Sequence, residues 1–299
     1  MSVLRLATRR SPLALLQAEF VCAKLAAYGV ECELVHVETS GDRHRDVSLA
    51  TLGGQGVFAI EIQRAVLDGD ADVAVHSAKD VPSVTPDGLE LMSVPDRRDP
   101  ADVLVGRSLA GLGPGATVAT GSPRRRALLL ERRPDIRVVA LRGNMATRLG
   151  TAGRDGVDAI ITAAAALERM GESDRIAERL DPSWFVPQVG QGALALEVRA
   201  DDWATCELVE KISDHAAMTA VAAERAFLRE LGTGCSIPAG AHASVFDGMV
   251  SLHAVMIAID GSRSVRSSAQ GTDPVDLGTE LARFLHDDEG GGSLPGWNR

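Results

Sequence analysis

The same local pattern occurs at two places in this sequence and restricts the folds available to it. Ala7-Thr8 ends an apolar run before Ser11-Pro12, and Ala119-Thr120 stands in the same order before Ser122-Pro123. Ser is a favoured N-cap and Pro a favoured first helical residue, so each Ser-Pro pair predicts the start of a helix. Short apolar runs that alternate with helices indicate βαβ units and open α/β sheets. The sequence therefore predicts two α/β halves of similar build.

Length and composition define the broad class of protein. The chain has 299 residues, 45% of them hydrophobic, which is enough for a substantial core in two or three domains. Its net charge of -10 argues against non-specific nucleic-acid binding. Neither an apolar run of about 18 residues nor a signal-peptide pattern is visible, so we expect a cytoplasmic protein with free thiols. No metal-ligand spacing joins its histidines and cysteines, and we expect no metal site.

The segment from Asp72 to Pro82 is the strongest candidate for a catalytic site. Its apolar part, Val73 to Val75, predicts a buried strand, and a cluster of polar residues follows directly. Pro82 disfavours helix at the preceding residue, so the cluster should lie on a turn. Ligands of open α/β sheets bind beyond the carboxyl ends of strands, which makes Asp80 a candidate carboxylate at a cleft. The alternative is a solvated loop at the end of a strand.

Arginines are concentrated at predicted strand ends and helix starts. Arg124 and Arg125 occupy the first turn of a predicted helix, where cations oppose the helix dipole, so a compensating anion is expected. Arg9 precedes the first helix, and Arg142 follows the predicted strand Ile136 to Leu141. Guanidinium groups suit carboxylates and phosphates. In an acidic chain, this concentration predicts a small polyanionic ligand, although each arginine alone could be solvated.

The last third of the chain predicts a small α+β domain. Three strand-like segments precede a helical pattern that runs from Pro274 to Leu285, and the glycine-rich tail at 290–293 should be disordered. Cys235 stands on an irregular backbone between Gly234 and Ser236, whereas Cys22 and Cys32 fit apolar packing positions. Cys235 is thus a candidate nucleophile or attachment point, with a buried loop thiol as the alternative.

Several motifs, in their order and spacing, resemble the porphobilinogen deaminase family along nearly the whole chain. The motifs are Ala7-Thr8-Arg9-Arg10-Ser11-Pro12-Leu13-Ala14, the segment from Val75 to Pro82, Ser122-Pro123-Arg124-Arg125, Leu141-Arg142-Gly143-Asn144, Val189-Gly190-Gln191-Gly192-Ala193 and Gly234-Cys235. This chain departs from the family pattern at Gln55, where relatives often carry a basic residue. It also has Gly121 and Pro123 where serine and leucine are commoner.

The resemblance implies two doubly wound α/β domains of the type II periplasmic-binding-protein kind, hinged over a cleft, and a small C-terminal α+β domain. The implied boundaries are 1–96 with 193–213 for domain 1, 97–192 for domain 2 and 214–299 for domain 3. The glycine-rich segment from Leu52 to Phe58 is then either a lid over the cleft or merely a flexible loop.

The resemblance also implies a reaction and a cofactor. Members of the family carry a dipyrromethane cofactor on the cysteine that matches Cys235. They add four porphobilinogen units head to tail, release ammonia at each addition and free the linear tetrapyrrole hydroxymethylbilane. The implied partners are porphobilinogen and the growing polypyrrole chain, without nucleic acid, membrane or metal, and the implied state is a monomer.

Residue roles follow from the same resemblance. Asp80 would carry catalysis, since a carboxylate stabilises the cationic azafulvene left by loss of ammonia and takes part in proton transfer. The implied cofactor-binding residues are Cys235, Ser77, Lys79, Asp80, Thr120, Ser122, Arg124 and Arg125. The implied substrate-binding residues are Arg9, Ser11, Arg142, Arg148 and Arg169.

Two other functions fit parts of the sequence. A non-catalytic anion-binding protein of the periplasmic-binding type would explain the arginines, but it would not explain Cys235 or the lack of a signal-peptide pattern. A cysteine-nucleophile transferase would explain Cys235, but it would call for a nearby histidine, and the nearest downstream is His242.

Overall fold

The computed structural model describes residues 3–39, 56, 59–232 and 237–297. The chain divides into two compact units. The first unit comprises 1–97 and 193–218, and the second unit comprises 98–192 and 219–299. The finer division into three domains, with a boundary before residue 214, stays a prediction. Apart from Gly56, the segment expected to form a lid lies outside the described residues.

The secondary structure alternates between strands and helices, as the sequence pattern predicts. The strands are β1 (Leu4–Arg9), β2 (Cys32–Val37), β3 (Val73–Ser77), β4 (Leu89–Ser93), β5 (Asp102–Val105), β6 (Thr117–Ala119), β7 (Arg137–Val139), β8 (Ala159–Ala163), β9 (Ile176–Arg179), β10 (Leu194–Arg199), β11 (Ala239–Phe246), β12 (Met249–Ile257) and β13 (Ser264–Gly271). The helices are α1 (Pro12–Ala26), α2 (Ile60–Leu67), α3 (Pro123–Arg132), α4 (Met145–Thr151), α5 (Ala164–Arg169), α6 (Trp203–Glu210), α7 (His215–Glu230) and α8 (Pro274–Arg283).

The first unit is built on a mixed sheet with the strand order β2-β1-β3-β10-β4. Strand β1 is parallel to β2 and β3, whereas β10 is antiparallel to β3 and β4. Val73 and Val75 of β3 pack in one core with α1 and α6. Ala74 packs in a second core with Ile62 and Val66 of α2. Helices therefore cover both faces of this sheet, because successive side chains of a strand point to opposite faces.

The second unit contains a sheet with the order β7-β6-β8-β5-β9, in which β6 is parallel to its neighbours and β5 is antiparallel to its own. In both sheets a central parallel strand lies beside an antiparallel strand that the chain supplies from a different part of the sequence. This shared order confirms the predicted α/β fold with two halves of similar build.

The C-terminal segment adds the antiparallel sheet β11-β12-β13 to the second unit. Phe227 of α7 and Leu281 of α8 are buried against this sheet in one core. This arrangement confirms the predicted small α+β part. Within the described ranges, no helix combines the length and the apolar character needed to cross a bilayer.

The prediction of a disordered tail at 290–293 was wrong. Residues Gly291–Ser293 form a turn of 3-10 helix, and Leu294 and Trp297 join the C-terminal core. The indole Nε1 of Trp297 donates a hydrogen bond to the Ile257 carbonyl at 2.8 Å. The apolar residues that follow the glycines anchor the tail, and a glycine-rich composition alone gave no weight to them.

Strand ends differ from the prediction where polar residues are buried. Strand β3 runs two residues further than Val75, to Ser77, and β1 runs two residues further than Ala7, to Arg9. Strands β4 and β9 were not predicted. Polar side chains that make internal hydrogen bonds can occupy a strand as well as apolar ones do, and a hydrophobic pattern does not detect them.

Candidate active site

The polar residues after β3 form a short turn in the first unit. His76 and Ser77 still belong to the strand, and Ala78–Asp80 form one turn of 3-10 helix. The Ala78 N–H donates to the Ala193 carbonyl at 3.0 Å, and the Val81 N–H donates to the Ala78 carbonyl at 3.3 Å. Asp80 is half-buried. Its carboxylate therefore extends from a turn whose backbone is held by the end of the sheet.

Ser77 and Ser11 use their hydroxyl groups within the first unit. Gln17 Nε2 donates to Ser77 Oγ at 2.9 Å, and the Ser77 hydroxyl lies 3.3 Å from Gln17 Oε1. Ser11 caps α1, and its Oγ accepts a hydrogen bond from the Ala14 N–H at 3.3 Å. Arg9 is the half-buried last residue of β1. The sequence analysis missed Gln17, whose signal was a lone amide within the apolar stripe of α1.

In the second unit, a buried carboxylate holds the two arginines at the start of α3. Arg124 Nη2 donates to Asp102 Oδ2 at 2.7 Å, and Arg125 Nε donates to Asp102 Oδ1 at 2.8 Å. The exposed fractions of Arg124, Arg125 and Asp102 are 2%, 6% and 0%. The anion that the sequence predicted for this helix start is thus supplied in part by the protein itself. Asp102 was missed because it reads as the polar flank of the strand Val103 to Val105.

Gln191 completes this cluster. Its Nε2 donates to Asp102 Oδ1 at 3.0 Å and to the Pro100 carbonyl at 2.7 Å, while its Oε1 accepts a bond from Arg125 Nη2 at 3.2 Å. Gln191 is fully buried. The next residue, Gly192, has φ +87°, and an added Cβ would lie 2.3 Å from the Arg98 carbonyl oxygen. Only glycine fits this crossing of two backbones, which places Gln191 in the core.

The ionisation of this cluster follows from its charges. Burial alone would raise the pKa of Asp102, but Arg124 and Arg125 together hold it below its usual range. Burial lowers the pKa of the Arg124 guanidinium, while Asp102 acts in the opposite direction. Because arginine stays protonated in proteins, two guanidinium groups share one carboxylate and the cluster retains a net positive charge.

This cluster has capacity for a further anion. Arg124 directs Nη1 to the Val186 carbonyl at 2.7 Å, but its buried Nε has no hydrogen-bond partner among the described residues. A buried donor without a partner is costly, and most such groups in proteins are satisfied. The donor set and the excess of positive charge therefore fit a ligand that carries carboxylates.

Hydroxyl groups lie at the end of β6, next to the arginine cluster in sequence. Thr120 is buried, and its Oγ1 accepts a bond from the Ser122 N–H at 3.3 Å. Ser122 is the N-cap of α3, and its Oγ accepts from the Arg125 N–H at 3.4 Å. An added Cβ at Gly121 would lie 2.8 Å from the Leu141 carbonyl oxygen. That close approach explains why this chain has glycine where serine is commoner in the family.

The three remaining arginines of the second unit are more accessible. Arg142 is exposed beyond β7, Arg148 Nε donates to the Gly143 carbonyl at 2.8 Å, and Arg169 Nη2 donates to the Gly192 carbonyl at 2.8 Å. Arg169 therefore contacts the same loop that carries Gln191. Cys235 lies outside the described residues.

Two models of one family match most of the chain. The model described as "Porphobilinogen deaminase, dipyromethane cofactor binding domain" matches residues 4–207, and the model described as "Porphobilinogen deaminase, C-terminal domain" matches residues 218–287. Among solved structures, a periplasmic substrate-binding protein of an ABC transporter from Coxiella burnetii is similar at a TM-score of 0.42 and 15% identity, covering 75% of this chain and 97% of that one.

Curated relatives match over nearly their whole length. The porphobilinogen deaminase of Syntrophotalea carbinolica is 46% identical over 95% of this chain and 92% of its own. The porphobilinogen deaminase of Trichlorobacter lovleyi is 43% identical over 94% of this chain and 92% of its own. Identity at this level and over this length does not arise by chance, and the chain belongs to the porphobilinogen deaminase family.

Proposed function

We propose that this chain is a transferase, a hydroxymethylbilane synthase, that condenses four porphobilinogen molecules head to tail with release of ammonia. The observation that carries the proposal is its 46% identity to a porphobilinogen deaminase over 95% of the chain. The buried guanidinium pair with one shared carboxylate supports it, because each pyrrole unit carries an acetate and a propionate. The comparisons do not favour an anion-binding protein or a cysteine-nucleophile transferase.

The residues of the chain divide into three proposed roles. Catalysis is assigned to Asp80. The cofactor would be held by Cys235, through a covalent bond, and by Ser77, Lys79, Asp80, Thr120, Ser122, Arg124 and Arg125. Substrate and growing chain would be held by Arg9, Ser11, Arg142, Arg148 and Arg169. The dipyrromethane, when bound, supplies the pyrrole carbon from which the chain grows.

Asp80 has the chemistry that the reaction requires. Loss of ammonia from porphobilinogen leaves a cationic carbon on the substrate, and a fixed carboxylate stabilises that charge as it develops. The same carboxylate can accept the proton that the pyrrole loses after the carbon–carbon bond has formed. The backbone bonds of Ala78 and Val81 hold the turn, so the carboxylate needs little rearrangement during the reaction.

Replacement of Asp80 tests this role. We expect Asp80→Asn to reduce kcat by at least about a hundredfold while the fold is retained, because the charge is lost and the shape is kept. Asp87→Asn is the matched control, since Asp87 is exposed in the same segment and makes no contact in the proposed site. Release of ammonia from porphobilinogen is the measurement, with circular dichroism as the check of folding. Near-normal rates in Asp80→Asn would contradict the role.

The intact mass of the purified protein tests the cofactor. We expect an excess equal to two linked pyrrole units, absent from Cys235→Ala. An unmodified protein would be incubated with porphobilinogen and measured again. If neither the mass changed nor ammonia appeared, the proposed function would be wrong. We also propose a cytoplasmic monomer, which light scattering of the purified chain would test for its oligomeric state.

A further inference from the structure

The first unit contains a buried polar cluster apart from the residues assigned above. Gln63 of α2 donates through Nε2 to both carboxylate oxygens of Glu197 on β10, at 3.1 and 2.9 Å. His76 of β3 places its Nε2 3.1 Å from Glu197 Oε2. The exposed fractions of Gln63, His76 and Glu197 are 2%, 4% and 0%. We call these three residues the Glu197 cluster.

The Glu197 cluster lies on the face of the sheet opposite Ser77. Side chains alternate along β3, and Ser77 contacts Gln17 of α1 whereas His76 points toward α2 with Gln63. On β10, Leu196 packs in the core on the α1 side, so Glu197 must face the other way. The end of β3 is thus held on one face through Ser77 and on the other through His76.

A buried carboxylate is a specific feature that must be maintained by its partners. Removing a carboxylate from water is unfavourable unless hydrogen bonds and a countercharge replace the lost hydration. In the Glu197 cluster, the Gln63 amide and the His76 imidazole supply part of that replacement. Such networks define one arrangement of their members, because a displaced member leaves the others unsatisfied.

The same strand that carries Glu197 also holds the catalytic turn. Residues of β10 pair with β3 up to Leu194 opposite Ser77, and the Ala193 carbonyl accepts the Ala78 N–H. His76 is the last side chain of β3 on its face before the turn that bears Asp80. Any rotation of the backbone at the end of β3 would break the contact between His76 and Glu197.

We propose that His76 and Glu197 are positioning residues for Asp80 in the reaction described above, on whose assignment this inference rests. The pair fixes the end of β3 relative to β10, so that the carboxylate of Asp80 keeps one orientation. Substrate affinity depends on other side chains, chiefly arginines. Disruption of the pair should therefore lower kcat much more than it changes KM.

Two neutral replacements of His76 separate positioning from a general structural role. Gln has the reach to donate to Glu197 Oε2 in place of the imidazole, whereas Asn is one methylene shorter and falls short of it. We expect His76→Asn to lower kcat by about ten- to a hundredfold, with KM changed by less than about twofold, because small displacements of a reacting group are costly. His76→Gln should restore most of kcat.

Asp72→Asn serves as the matched control at the opposite end of β3. Asp72 precedes the strand and accepts bonds from the Arg5 N–H at 2.9 Å and from Arg5 Nη2 at 2.8 Å. This variant removes a carboxylate that bridges strands without touching the end that bears Asp80. We expect it to retain the kcat of the unmodified chain even if its melting temperature falls.

The outcomes distinguish this inference from the proposed function. If the unmodified chain turns over porphobilinogen but His76→Asn and His76→Gln have the same kcat, the inference is wrong and the function stands. If the unmodified chain shows no turnover, both are wrong. If His76→Asn does not fold, Glu197→Gln decides: this isosteric change keeps the contact with an uncharged His76, so a tenfold loss of kcat with unchanged KM supports positioning by the charged pair and an unchanged kcat overturns it.

Discussion

Arg124 and Arg125 show how a single residue can change the interpretation of a motif. Two cations in the first turn of a helix are unfavourable, and the sequence indicated an external anion as the reason for them. The structure places the Asp102 carboxylate between them, at 2.7 and 2.8 Å from their nitrogens. One negative charge does not balance two positive charges, so Asp102 orients the pair and leaves charge for a ligand.

Loss of the Asp102 charge should therefore destabilise the second unit. We expect Asp102→Asn to lower the free energy of unfolding by about 3–5 kcal/mol, because two buried guanidinium groups lose their countercharge. Urea denaturation followed by circular dichroism is the measurement. Asp135→Asn is the control, since its partner Arg133 is a surface residue and such pairs contribute little. Equal midpoints for the two variants would show that the buried pair has no special weight.

At the scale of elements, caps and close contacts decide where helices lie. Ser11, Ser122, Asn144, Asp202 and Asp273 each accept a backbone N–H at the start of a helix. These contacts are local, which is why the starts of α1, α3 and α8 follow from the sequence. The packing of one helix on another depends on contacts between distant residues, and the clearest example is Gly278 of α8.

Gly278 should be required for the contact between α7 and α8. An added Cβ would lie 2.2 Å from the Ala223 carbonyl oxygen and 2.9 Å from the Phe227 nitrogen. We expect Gly278→Ala to destabilise the protein by about 1–3 kcal/mol through this clash, although alanine is the better helix former. Gly150 of α4 has no atom within 4 Å of its added Cβ. Gly150→Ala should therefore stabilise by about 0.5–1 kcal/mol, and thermal melting compares the two. Stabilisation by both would contradict the close packing.

For the whole molecule, ion pairs between distant segments make stability depend on pH. Burial by itself would raise the pKa of Asp72, Asp102 and Glu131, but their arginine partners hold each below its ordinary value. Asp72 joins the start of β3 to β1 through Arg5, and Glu131 joins α3 to β13 through Arg266. A carboxyl group with a depressed folded pKa stabilises the fold above its unfolded pKa and loses that contribution as pH falls through the folded pKa.

The protein should thus lose stability progressively below about pH 4, where unfolded carboxyl groups begin to protonate. Melting temperatures measured at pH 7, 4 and 3 at constant ionic strength test this expectation. Asp102→Asn should show a smaller decrease between pH 7 and pH 3 than the unmodified chain, because it lacks one of the groups. A melting temperature that rises toward pH 3 would contradict the linkage.

The sequence by itself determined the elements whose signals are local. Ser-Pro pairs fixed the starts of α1 and α3, strand-length apolar runs located β2 and β5, and the spacing of motifs identified the family. The alternation of these elements was enough to predict two α/β halves, and Asp80, Arg124 and Arg125 stood out as charged residues at strand ends and helix starts. All of these inferences depend on neighbours in the chain.

Only the tertiary structure decided which distant residues meet. Strand β10 enters the first sheet from about 100 residues further along the chain, and it brings Glu197 to His76. Asp102 and Gln191 reach Arg125 across separations of 23 and 66 residues. Trp297 anchors a tail that composition alone assigned to disorder. The physical reason is common to these cases: a buried polar group is stable only beside its partner, and the partner is set by the fold and not by the local sequence.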